Sequence, residues 1–347
     1  MISPLERVLL GTAVGDSLGL PAEGLTPNRI HKRWRGIWCQ RFVFGRGMVS
    51  DDTEHTVFVA QCLLDQPSSP EFFQRRLAWK LRWWLVCVPA GIGFATLRAI
   101  LKLWVGFPVS RSGVFSAGNG PSMRSAIIGA YFAGDQARIR QYVRASTVLT
   151  HSDPKAEIAA QAVASTASWA VCGGVVSWAS IKELRERWLG CGTGDTAWQK
   201  IIADLFAAFD RQFTVAEYAQ EIGMEHGVTG YSYHTVPVAL YAWLKHFGDF
   251  RGTLRAVLDC GGDTDTVGAI AGALAAINSD IEPPWLDHVR DFPISTNFLR
   301  QLASALEDSK AGNICKPPVF HWGFLPLRNF IFLGVVLGHG FRRLIPF

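Results

Sequence analysis

Gly262-Asp263-Thr264-Asp265-Thr266-Val267-Gly268-Ala269-Ile270-Ala271-Gly272-Ala273-Leu274-Ala275-Ala276 reads as a turn, an acidic helix start and a helix of small side chains. Gly261-Gly262 supplies a flexible turn, and Asp263 and Asp265 suit the electropositive first turn. The Ala-rich run lets a neighbouring helix approach closely, and residues 156–170 share that composition. Outward from here helical patterns dominate. Residues 4–18 begin at Pro4 and keep Leu5, Val8, Leu9 and Thr12 on one side. Residues 51–65 follow Ser50, a good N-cap, with Asp51, Asp52 and Glu54 in the first turn and Val57, Ala60 and Leu64 as the apolar stripe. Residues 71–87 carry Phe73, Leu77, Leu81 and Trp84 and stop before Pro89.

Further helices are expected over 95–104, 122–133, 136–149, 154–172, 181–189, 197–210, 214–222, 236–247, 251–258 and 296–307. Period-two alternation is not sustained anywhere, so the predicted class is all-α. Residues 105–121, rich in Gly, Pro and Ser, read as a loop within a domain, because helical patterning resumes directly after it. One domain over 1–347 is expected, with an apolar extension from about residue 310.

The 347 residues are 49% apolar, with 13 Trp and 22 Phe, enough for a substantial core, and the 18% charged residues argue against disorder. A net charge of +5 with scattered Lys and Arg fits solvated helix faces better than a nucleic-acid track. Seven cysteines without a C-x-x-C pair indicate no zinc knuckle and no dithiol redox pair. Free thiols and an N-terminus without a basic-then-apolar leader lead to a cytoplasmic expectation. The apolar run 330–337 falls short of the roughly 20 residues that span a bilayer. It is read as a packed terminal helix rather than a membrane-surface anchor.

Chemistry concentrates in two acidic clusters, Ser50-Asp51-Asp52-Thr53 and Gly262-Asp263-Thr264-Asp265-Thr266. Ordinary helix capping accounts for either one alone. Two such sets, each burying adjacent carboxylates among small residues, point instead to hard divalent cations, which take charged oxygen ligands in compact sites. Other polar islands are Gly15-Asp16 with Glu23, Gly118-Asn119-Gly120 ahead of Arg124, Thr150-His151-Ser152, and Gly230-Tyr231 through Thr235. Taken singly, G-N-G is more often a turn than an anion site, and a histidine at a helix junction is usually structural.

In this order the segments resemble the ADP-ribosylglycohydrolase family, over about residues 5 to 280. The resemblance implies a compact orthogonal helical bundle with two Mg²⁺ or Mn²⁺ ions at the bottom of a cleft. By carry-over, Ser50, Asp51, Asp52, Asp263, Asp265 and Thr266 are the implied metal ligands. Glu23, with Asp51 or Asp52 as the alternative, is the implied proton-transfer group. Gly118, Asn119, Gly120 and His151 are implied to hold diphosphate and ribose, and Tyr231 to lie on the adenosine side. The implied reaction is metal-assisted hydrolysis of the C1″ bond of an ADP-ribosylated protein or small-molecule adduct. No nucleic-acid partner and no transmembrane segment are expected, and the chain is expected to be a monomer. His234 replaces the acid usual in the family, which bears on the leaving group accepted. Two rival readings remain: an ADP-ribose-binding or crystallin-like structural protein without turnover, and a phosphoester hydrolase using the same ions.

Overall fold

The computed structural model describes residues 2–64, 69–313 and 315–344. Among them the chain is all-α, with isolated bridges and no strand. The helices of the first half are α1 (Pro4–Gly19), α2 (Pro27–Trp34), α3 (Asp51–Leu64), α4 (Pro70–Val86), α5 (Phe94–Trp104), α6 (Gly120–Met123), α7 (Ala126–Tyr131), α8 (Gln136–Val148) and α9 (Pro154–Val171). Those of the second half are α10 (Trp178–Cys191), α11 (Thr196–Asp210), α12 (Val215–Glu221), α13 (Ser232–Lys245), α14 (Phe250–Leu258), α15 (Thr264–Asn278), α16 (Pro283–Asp287), α17 (Thr296–Lys310) and α18 (Leu325–Leu344). One apolar core runs through the bundle from Leu5 to Leu325.

At its centre α1 and α15 are buried on all sides, from Val8 through Gly19 and from Thr264 through Ala276. They cross antiparallel along glycines spaced four apart, one face of each helix. A Cβ on Gly15 would stand 2.0 Å from the Gly268 carbonyl oxygen, and one on Gly19 would stand 2.2 Å from that of Thr264. This seam carries the end of α1, with Asp16 and the loop to Glu23, to the acidic start of α15. Gly15→Val is therefore expected to cost about 3 kcal/mol, the upper range for overpacking, read as a drop in the urea midpoint. Gly190→Ala is the contrast, since a Cβ there meets nothing within 4 Å; it is expected to gain about 0.5 kcal/mol from helix propensity.

Several helix boundaries differ from those read in the sequence. The stretch 122–133 divides into α6 and α7, because Arg124 leaves helical geometry (φ −107°, ψ 12°) as its buried side chain turns to neighbouring groups. α13 begins at Ser232 and contains Pro237. α2 escaped notice because only Ile30 and Trp34 of its residues are buried. The expected end of α3 at residue 65 lies outside the described residues.

The largest correction concerns the C-terminal extension. The run 330–337 is the middle of a 20-residue helix, α18. Over Trp322–Phe341 it is long and apolar enough to cross a membrane by length and composition. It is packed on one side only. Leu325, Arg328, Asn329 and Phe332 are buried, while Phe330, Ile331, Leu333, Leu337 and Phe341 are exposed. The buried Arg328 explains why it stays on the body. Its guanidinium meets Glu54 Oε1 at 3.2 Å and Asp291 Oδ2 at 2.5 Å, and donates to the Val49 carbonyl. Glu54 also accepts Trp84 Nε1–H at 2.6 Å. Burial still holds the Glu54 carboxyl up at about 7 despite Arg328.

Candidate functional site

α3 opens with an unusual run: Asp52, Thr53, Glu54, His55 and Thr56 are all buried. Ser50 caps α3 as expected, its Oγ accepting Asp52 N–H at 3.2 Å and donating to Asp52 Oδ2 at 3.0 Å. Further amides of this helix end are satisfied from another helix. Asp16, at the end of α1, accepts Ser50 N–H at 2.9 Å and Thr53 N–H at 3.2 Å, and also the Thr53 hydroxyl. Asp16 is thus the group that fixes the first acidic cluster in place, a role not read from the sequence.

The second cluster is set by the turn before α15. Gly261 and Gly262 both take positive φ (68° and 81°), and a Cβ on Gly262 would lie 2.0 Å from Val228 O, so glycine is required there. Gly262 O accepts Gly24 N–H at 2.7 Å, and Val228 O accepts Asp263 N–H at 2.7 Å. The two clusters then meet directly: Thr266 Oγ1 donates to Asp52 Oδ2 at 3.2 Å across 214 residues of sequence. Two buried oxygens at this junction, Asp52 Oδ1 and Asp265 Oδ1, have no hydrogen-bond partner among the described residues.

Electrostatics follow from this crowding. Burial raises Asp51, Asp52 and Asp265 well above the usual carboxylate range, and each is raised further by neighbouring acids, among them Asp16, Glu23 and Asp263. Burial pushes Asp16 up to about 6, opposed by the hydrogen bonds from Thr53 and Ser50. Such a set is short of positive charge. Even so, among the described residues no group of three or more Asp, Glu, His or Cys side chains is drawn into a ready-made metal site.

The acids border a cleft of about 610 Å³. Glu23, Asp51, Asp263, Asp265 and Thr266 line it, together with Gly118, Asn119, Gly120 and His151. Asp52 and Ser50 sit behind this lining, and half-buried Tyr231 stands outside it against Tyr233 and His234. Asn119 is committed inside the protein, donating to Asp263 Oδ2 at 2.6 Å and to Thr235 Oγ1 at 3.0 Å. Its loop is pinned by Asn119 N–H to Gly230 O at 3.0 Å. A larger cavity of about 790 Å³ between α8, α9 and α10 contains neither acidic cluster; in its lining Arg144 pairs with Glu157 and Arg187 with Glu183.

Arg124 lies wholly buried beneath the glycine loop. It donates to Gly120 O at 3.1 Å, to Ser146 O at 3.0 Å and to Thr150 Oγ1 at 2.8 Å. The Thr150 hydroxyl, which accepts from Arg124, also lies 2.9 Å from His151 Nδ1. In the tautomer where that hydroxyl donates to Nδ1, His151 presents Nε2–H beside the glycines. Burial and then Arg124 push His151 down to about 3, so its ring is neutral. Burial likewise lowers Arg124 to about 10.

Cleft residues that drew no notice in the sequence include Phe94, Thr96 and Ser116. Phe94 is 73% exposed at the mouth, and an aromatic just after Gly91-Ile92-Gly93 was the one available signal.

The sequence profile of the ADP-ribosylglycohydrolase family matches residues 4–314. An uncharacterised protein of Archaeoglobus fulgidus is 31% identical over 314 residues, covering 88% of this chain and 96% of that protein. The ADP-ribosyl-[dinitrogen reductase] glycohydrolase of Rhodospirillum rubrum is 25% identical over 312 residues, covering 86% and 93%. Among solved structures, an ADP-ribosylglycohydrolase-related protein complex superposes with a TM-score of 0.63 at 24% identity, over 89% of this chain and 98% of that one. That last likeness is one of fold.

Proposed function

The chain belongs to the ADP-ribosylglycohydrolase family, and on that premise we propose that it hydrolyses the C1″ glycosidic bond of ADP-ribosyl adducts with the help of two divalent cations, Mg²⁺ or Mn²⁺. The observation that carries the reading is the pair of partnerless buried oxygens, Asp52 Oδ1 and Asp265 Oδ1, at the junction that Thr266 makes with Asp52. Buried carboxylate oxygens without donors are costly, and a hard cation is the partner that suits them.

Ser50, Asp51, Asp52, Asp263, Asp265 and Thr266 would hold the ions. When bound, the ions supply Lewis-acid polarisation of the ribose hydroxyls and of a water. The remaining work falls to this chain's own groups. Asn119 holds Asp263 in place, and His151 offers Nε2–H to a phosphate oxygen near Gly118 and Gly120. Glu23, exposed at the mouth, is placed to pass a proton to the departing group, and Asp51 is the alternative. Asp52, already bonded by Ser50 and Thr266, is the least suited to proton transfer. Carboxylates around C1″ stabilise the positive charge that builds on the ring as the bond breaks. The acceptor side, a protein side chain or a small molecule, meets the outer cleft near Phe94.

The test is incubation of the Mg²⁺- or Mn²⁺-loaded protein with arginine-, serine- and acetyl-linked ADP-ribose, following free ADP-ribose. Release from at least one adduct, stopped by EDTA and restored by metal, is expected. Tight ADP-ribose binding with no release from any adduct would instead make the protein a binder, and full activity in EDTA would remove the metals from the reading. A readout independent of turnover is thermal unfolding. A cation at a hundredfold excess over its Kd is expected to stabilise the metal-free protein by about 2.7 kcal/mol, seen as a raised Tm.

A further inference from the structure

Among the described residues nothing covers the outward side of α18. Phe330 is 76% exposed, and Ile331, Leu333, Leu337 and Phe341 join it. The apolar surface does not stop at this helix. Asn329 Nδ2–H donates to the Cys87 carbonyl at 2.9 Å, so α18 docks where α4 ends. The outer side of α4 there shows Trp79, Trp83 and Val86. The Trp83 ring lies 6.3 Å from that of Trp104 on α5, and exposed Val105 and Phe107 follow it.

Charge on this face is mainly positive, with exposed Glu71 beside Arg75 at the start of α4 as an acid at its edge. From residue 72 to residue 134 the sequence contains no Asp or Glu, while Arg75, Arg76, Arg98 and Arg111 are exposed. After Asp308 no acid occurs again, and the sequence still carries Lys310, Lys316 and Arg342-Arg343. The cations lie among the aromatics: Arg82 is 4.9 Å from the Trp79 ring centroid and Lys102 is 5.2 Å from that of Phe107. Exposed Trp and aliphatic side chains edged by Lys and Arg suit the boundary between acyl chains and anionic headgroups. A second copy would set like charge against like charge across a two-fold axis.

α18 does not itself cross. Spanning would strip Arg328 from Glu54 and Asp291 and carry a charge into hydrocarbon. We propose that this face, the outer side of α18 with the α4–α5 aromatics and their cations, rests on an anionic lipid bilayer, with α18 lying in the headgroup plane. His339 Nε2 lies 3.0 Å from the Pro21 carbonyl oxygen, two residues before Glu23, so the cleft sits next to the lipid-facing surface.

Flotation of the full chain with phosphatidylcholine vesicles, with and without phosphatidylglycerol, tests this without reference to turnover. The protein is expected to float with the anionic vesicles, about tenfold more than with neutral ones, and to be released by salt. Phe330→Asp with Leu337→Asp is expected to abolish flotation, and Arg75→Glu with Arg98→Glu to weaken it about tenfold, both with unchanged circular dichroism. Flotation with neither vesicle, or equally with both, overturns the proposal. So does a dimer dissolved by the Phe330→Asp, Leu337→Asp variant in the absence of flotation, which would make a second copy the occupant.

Discussion

Asp52→Asn is expected to lose turnover by at least about a hundredfold, the scale on which one preorganised polar group contributes to a transition state, while melting no lower than the wild type without metal. The two halves of this result share one cause. Asp52 is buried, one of its oxygens lacks a partner, and the acids around it raise its carboxyl well above the usual range. In the metal-free protein the amide removes a charge that burial disfavours. In the metal-loaded protein proposed above it would remove an oxygen that the cations would use. The Tm gain on adding Mg²⁺ should therefore shrink in the variant even as its metal-free Tm holds or rises. Wild-type turnover in Asp52→Asn, or a full Mg²⁺-dependent Tm gain, would detach Asp52 from any metal role.

Arg328→Ala is expected to destabilise the protein by about 3–5 kcal/mol, the cost of removing one partner from a buried charge group. Glu54 and Asp291 would both be left without their shared cation. Urea unfolding should show a lower midpoint at an unchanged slope. Arg328→Met combined with Glu54→Gln and Asp291→Asn should recover most of the loss, because the pocket then holds no bare charge. A single Arg328→Ala variant as stable as the wild type would mean that α18 is not clamped to α3. The same clamp bears on truncation. Residues 315–347 fall outside the family match, yet removing them takes Arg328 away from Glu54, which is on the helix that begins with Asp51 and Asp52.

The helical class and both acidic helix starts were legible because they are local. Cap chemistry and small-residue runs act within a few positions, and the structure brings the two clusters into contact through Thr266 and Asp52. What escaped was long-range. Asp16 was visible as an acid after a helix, but no local rule says that it caps α3 from 34 residues away. Arg124 was visible after a glycine loop, but nothing local shows that the fold buries it and turns it toward Gly120 and Thr150. Arg328 carried a signal that went unread: a lone arginine in an otherwise apolar helix needs buried acids to face. The full length of α18 was not legible from the apolar run 330–337, because Arg328 and Asn329 interrupt the apolar pattern although they are helical and turned inward.

Where α1 meets α15 there are no side chains left to trim, since the two backbones already touch along Gly11, Gly15 and Gly19. The span between the Asp16 side and the Asp265 side is accordingly a fixed gauge that substitution can widen but never narrow. On the proposed reading, adaptation to a bulkier or smaller leaving group proceeds away from this seam, through exposed Phe94 in the cleft lining. Engineering libraries aimed at new acceptors belong there.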